Sequence, residues 1–170
     1  MSGGLKRINQ MTSDEAAAVL HAICGSGRWV EAMLASRPFI DAAGLFAAAE
    51  REWLALSRED CLEAFSHHPK IGERNLTQAR FAATAQQSSR EQSGMAAASE
   101  AERAEFAARN AEYERKFGHV FLICATGKSA SEMLTSLRSR LGNDAQTELR
   151  NAVGEQAKII RLRLERWLAT

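Results

Sequence analysis

Only two of the 170 residues are proline, Pro38 and Pro69, whereas 31 are alanine. Alanine is the best helix former and proline the worst. Runs of Val, Ile and Thr in strict alternation are missing, so strands have little support. The chain therefore reads as all-α, with the two prolines as punctuation. Its length fits a single domain over residues 1–170, and a chain of this size buries roughly 70% of its unfolded surface without staples. Apolar residues make up 45% and charged residues 25%, ordinary values for a globular protein. Net charge is +1, so no global field draws the chain to nucleic acid or to an anionic membrane. Cys24, Cys61 and Cys124 are widely spaced and form no CxxC, which suits free thiols in a reducing compartment. The longest apolar run, Val120 to Ala125, is far short of a membrane span. The start lacks a secretory apolar region and the end lacks a peroxisomal signal, so a cytoplasmic location is expected.

Capping signals divide the chain further. Thr12 and Glu15 form a capping box that opens a first helix, broken near Cys24 by Gly25-Ser26-Gly27. Helices are expected from Arg28 to Ser36, from an Asp41 cap to about Leu56, and from Ser57 toward His67. Residues 70–76 read as loop and 77–87 as helix, while 88–94 is open. A long helix is expected from Ala96 to Phe117, with Gly118 as its natural stop. The apolar run after it fits either a buried helix or an extended stretch. Ser129 caps a helix to about Leu141, and Asn143 caps the last one. That last helix carries an apolar stripe of Leu149, Val153, Ile160, Leu164 and Trp167.

Four features could carry chemistry. In Phe65-Ser66-His67-His68-Pro69-Lys70-Ile71-Gly72, the proline pushes His68 out of the α region and fixes it at a helix end. Imidazole suits proton transfer near neutral pH. The competing reading is a helix-capping cation and a packed ring. In Ser88-Ser89-Arg90-Glu91-Gln92, a helix would set Ser88, Glu91 and Gln92 on one face. A hydroxyl, a carboxylate and an amide together suit a small polar ligand, although a solvated stretch accounts for a lone string as well. Arg163 flanks the last apolar stripe, where a guanidinium needs an acceptor, either a substrate oxygen or an internal carboxylate such as Glu91. Phe121, Leu122, Ile123, Cys124 and Ala125 could form an apolar wall with backbone groups facing a ligand, or plain core. Gly127-Lys128-Ser129 lacks the upstream glycine of a phosphate loop, since Leu122 stands there. Metal binding fails on histidine spacing.

Taken in order, these strings resemble one family over nearly the whole chain. His68-Pro69-Lys70-Ile71-Gly72 is similar to the HPxIG box of the OHCU decarboxylases, which act on 2-oxo-4-hydroxy-4-carboxy-5-ureidoimidazoline (OHCU). Ser88 to Gln92 resembles their SxxEQ box. Asn110, Tyr113 and Lys116-Phe117-Gly118 resemble their NxxYxxKFG helix. Phe121 to Lys128 and Lys158 to Leu164 resemble their FxICATGK and KIxxLRL segments. The resemblance implies an all-α bundle of about eight helices. It also implies a cofactor-independent carboxy-lyase that converts OHCU to (S)-allantoin in urate degradation. His68 and Glu91 would be catalytic, with their division of labour open. Pro69, Ser88, Ser89, Arg90, Gln92, Phe121, Leu122, Ile123, Cys124, Ala125 and Arg163 would bind substrate. No metal or other cofactor is expected, the partner is a small molecule, and a homodimer is compatible with all of this. Two rivals remain, a helical interaction module without chemistry and a lyase or hydrolase on another ureido compound.

Overall fold

Leu5 and Ile8, close to the chain start, are both buried and belong to a helix over Gly3–Gln10 that the sequence reading does not anticipate. The computed structural model describes residues 3–73 and 85–170. Among these residues there are nine α-helices, one 3-10 turn and no strand. They are α1 (Gly3–Gln10), α2 (Ser13–Ile23), α3 (Gly27–Ala35), α4 (Ala42–Leu54), α5 (Arg58–Ser66), α6 (Ala85–Glu91), α7 (Glu100–Phe117), α8 (Ala130–Arg140) and α9 (Ala145–Ala169), with the 3-10 turn over Ser93–Ala97. The all-α expectation holds. No described helix is long and apolar enough to cross a membrane. The helix expected over 77–87 lies outside the described residues except for its end.

The chain divides into two units, Met1–Ala64 with Ala157–Thr170, and Phe65–Gln156. In the first unit α2 packs on α3 and α3 on α4. The Trp29 indole N–H donates to the Ala49 carbonyl at 3.0 Å, tying α3 to α4. Helix starts are capped by side chains: Thr12 and Glu15 form the reciprocal box, Ser26 caps α3, and Asp41 accepts from Gly44 N at 2.7 Å. α1 is missed because Gly3 and Gly4 are poor helix formers. Each glycine costs about 1 kcal/mol relative to alanine, while burying Leu5 and Ile8 returns roughly 1.5–3 kcal/mol apiece. Gly4 also has a use, because a Cβ there would lie 2.6 Å from the Trp167 carbonyl oxygen.

In the second unit α7 packs on α8 around Phe106, Tyr113, Phe117, Phe121, Met133 and Leu137. α7 begins at Glu100, not Ala96, because Ser99 and Glu102 form a capping box and Ala98 is extended. It ends as expected at Gly118, which sits in the left-handed region at φ 77°. Residues 119–126 are non-helical, which settles the open choice there. Ser129 and Glu132 make a third box that starts α8. The last helix is capped by Asp144, which accepts from Thr147 N at 2.8 Å, and not by Asn143. The Asn143 amide instead donates to Glu148 at 2.8 Å.

α9 also corrects the expected stripe. Leu149, Val153 and Trp167 are only half-buried. The buried face runs through Glu148, Ala152, Gln156, Ile159, Ile160, Arg163 and Leu164. Hydropathy alone passes over this face because three of its members are polar.

Candidate functional site

α5 ends at Ser66, and His68 N donates to the Phe65 carbonyl at 3.1 Å, closing the final turn. Pro69 then stops the helix. His68 is left only 7% exposed, an imidazole delivered to a helix end and buried there. Three side chains hold the loop after it. Gln92 accepts from Gly72 N at 3.0 Å and reaches the Lys70 carbonyl at 3.5 Å. Asn110, buried on α7, donates to the Ile71 carbonyl at 3.1 Å. Glu114 pairs with Lys70 at 3.0 Å. The two strings read separately in the sequence, 68–72 and 88–92, therefore meet through Gln92.

α6 is short, and it sets Ser88 and Glu91 inward, both buried. Ser89 and Arg90 between them are exposed. That is the i, i+3 face expected for a helix. Among the described residues the buried Ser88 hydroxyl has no hydrogen-bond partner. It borders a cavity of about 430 Å³ whose lining includes Gly72, Ser89, Gln92 and Arg103. A buried polar atom without a partner is uncommon and marks a place where a ligand group or water could bond.

Phe121 to Ala125 form a buried, non-helical wall. Outside a helix or sheet, their backbone groups must find partners one by one. The Leu122 carbonyl accepts from Arg140 Nη1 at 2.7 Å, and Cys124 N donates to Glu155 Oε2 at 2.7 Å. Burial pushes the Cys124 thiol above its ordinary range, and the nearby Glu155 and Glu91 carboxylates add to the rise. A thiol so placed stays protonated and is a poor nucleophile. It also puts the Glu91 charge within electrostatic reach of the wall.

Arg163 belongs to the first unit. It is 4% exposed, and its Nη1 donates to the carbonyls of Ala22 and Ile23 at 3.2 Å each. These are end carbonyls of α2, which lack helical donors of their own. Part of the guanidinium fork is thereby occupied by backbone.

Sequence reasoning missed Arg140, Glu148 and Glu155 as residues that hold this region. Asn110 enters the sequence reading only as part of a motif, although an asparagine in the middle of a helix is a signal in itself, since it loses to better helix formers unless its amide has work to do. Among the described residues, no group of three or more His, Cys, Asp or Glu side chains could hold a metal ion.

Among the described residues the chain is thus an all-α protein whose second unit buries an imidazole, a carboxylate and an unpartnered hydroxyl. The family model described as OHCU decarboxylase matches residues 9–165, and the chain belongs to that family. Among its relatives is the uric acid degradation bifunctional protein TTL of Arabidopsis thaliana, 33% identical over 141 residues. That match takes in 83% of this chain but only 44% of the plant protein. The chain thus spans less than half the length of that relative. The 2-oxo-4-hydroxy-4-carboxy-5-ureidoimidazoline decarboxylase of Haloferax volcanii is 29% identical over 161 residues, covering 94% of this chain and 93% of that protein. A crystal structure of OHCU decarboxylase in the presence of (S)-allantoin superposes with a TM-score of 0.77 at 32% identity, covering 88% of this chain and 96% of that one.

Proposed function

We propose that this chain removes CO2 from OHCU and releases (S)-allantoin, without a cofactor. Family membership over residues 9–165 supports this, together with one local observation. The His68 loop and the Ser88–Gln92 segment are bonded to each other, Gly72 N to Gln92 at 3.0 Å, so the proton-transfer group and the polar recognition face share one support.

The carbon that loses CO2 bears a hydroxyl and adjoins a C=N bond. That bond accepts the electron pair, so an external electron sink is unnecessary. The protein has to orient the carboxylate, stabilise developing charge and deliver one proton to one face. In this reading His68 is the acid/base group, and Glu91 orients it or binds substrate N–H groups. Ser88 reads the ureido or ring edge with its unpartnered hydroxyl. Ser89, Arg90 and Gln92 complete that side, with Gln92 acting mainly through the loop it holds. Pro69 and the wall from Phe121 through Leu122, Ile123 and Cys124 to Ala125 form the slot for a flat ring. Arg163 binds a substrate oxygen. The working unit is residues 1–170 as one catalytic domain, alone or as a homodimer in the cytoplasm, with a small molecule as its partner.

The test is circular dichroism of allantoin formed from freshly generated OHCU, with and without the protein. Spontaneous decay yields racemate. The expected result is faster conversion with a persistent single-enantiomer signal. Decay at the uncatalysed rate to racemic product overturns the proposal.

A further inference from the structure

The wall from Phe121 to Ala125 has no helix or sheet to fix its backbone, yet a slot for a flat ring needs fixed walls. Two side chains supply what secondary structure does not. Arg140 takes the Leu122 carbonyl at 2.7 Å and Glu155 takes the Cys124 N–H at 2.7 Å. Ile123 stands between them, 5% exposed, and its own N–H and C=O have no partner among the described residues. Each braced group shares its peptide with one of these open groups, the Leu122 carbonyl with the Ile123 N–H and the Cys124 N–H with the Ile123 carbonyl.

Arg140 is itself held. Its Nε donates to Glu148 at 2.7 Å, and its guanidinium lies over the Phe121 ring, 4.7 Å from the centroid. Glu148 is fully buried and also accepts from the Tyr113 hydroxyl, from Asn143 at 2.8 Å and from Asn151 at 3.3 Å. The guanidinium thus contacts the wall twice, by its face on Phe121 and by its edge on Leu122. A planar fork can do this and an ammonium cannot.

We propose that Arg140 and Glu155 are positioning residues that brace residues 121–125 at the two peptides flanking Ile123 and so set the fit of substrate against this wall. The inference rests on the function proposed above, because it takes the wall to be a substrate surface. It adds residues outside the candidate site that act on it through backbone.

The experiment compares wild type with Glu155→Ala, Glu155→Gln and Arg140→Lys. It measures KM and kcat for OHCU, affinity for (S)-allantoin by calorimetry, and amide exchange at Cys124 by NMR. Glu155→Ala should raise KM and weaken (S)-allantoin about fivefold or more, the scale of one lost hydrogen bond. The pH profile of kcat should keep its shape, and Cys124 N–H should exchange faster. Glu155→Gln retains an acceptor oxygen and should return KM to within about twofold of wild type. Arg140→Lys should behave like Glu155→Ala. Faster exchange at Cys124 with an unchanged KM overturns the inference, and so does a Glu155→Gln variant no better than Glu155→Ala. If Glu155→Ala does not fold, Arg140→Lys and Glu155→Gln decide by the same readings. An inactive wild type is a failure of the proposed function, whereas an active wild type with indifferent variants is a failure of the brace.

Discussion

His67 and His68 are adjacent in sequence, but only the second stands directly before proline and is buried. A residue before proline is restricted to extended backbone, and the loop that follows His68 is fastened by Gln92 and Asn110. His67 is half-buried and lies at the turn. If His68 moves the proton, His68→Asn should lower kcat by at least ~10²-fold, the usual scale of general acid–base help. His67→Asn should retain most activity. Steady-state rates of both variants check this, and a larger loss at His67 would move the acid–base role to that residue.

At the scale of elements, reciprocal capping boxes mark helix starts, among them Thr12 with Glu15, Ser99 with Glu102 and Ser129 with Glu132. In each the hydroxyl satisfies a first-turn N–H and the carboxylate answers the cap N–H. Ser99→Ala removes the cap that starts α7, the helix carrying Asn110 and Tyr113. It should cost about 1 kcal/mol and lower the melting temperature by roughly 2–4 °C, read by thermal denaturation. Such local devices made much of the helix pattern legible in advance. The Ser99 box was equally visible, and it outweighs the alanines before it that suggested a longer helix. α1 was not legible, since Gly3 and Gly4 speak against it and only tertiary burial of Leu5 and Ile8 decides. The candidate site was legible in the same uneven way. His68 follows from a proline, and Ser88 with Glu91 follows from helical spacing. Arg140 and Glu155 do not, because they bond to backbone of a segment whose conformation no local rule specifies. The buried face of α9 was hidden for a related reason. Glu148 can lie inside only because four donors, from Tyr113, Arg140, Asn143 and Asn151, surround it.

For the molecule as a whole, that buried carboxylate predicts how stability depends on pH. Burial alone would push Glu148 up. Hydrogen bonds from Arg140, Tyr113 and Asn143 outweigh it and hold the group below its ordinary value of 4.5. Tyr113 is driven the other way, first by burial and then by its bond to Glu148, so it stays a donor at any physiological pH. A carboxyl whose folded pKa lies below its unfolded one adds stability at pH values above the unfolded pKa. That contribution drains away as pH falls from about 4.5 through the lowered folded value. Glu148→Gln keeps an acceptor oxygen but removes the charge that answers half-buried Arg140. It should therefore destabilise the protein at neutral pH by about 1–3 kcal/mol. As pH falls from about 4.5 through that lowered folded value the two proteins should converge, because the wild-type carboxyl then loses its charge as well. Glu15, Glu105, Glu132 and Asp144 are also held low by their hydrogen bonds and steepen the acid limb. They are present in both proteins and cancel in the difference. Denaturant melts of wild type and variant from pH 7 downward check this, and a gap that stays constant into acid would mean that Glu148 supports the fold through shape and not through charge.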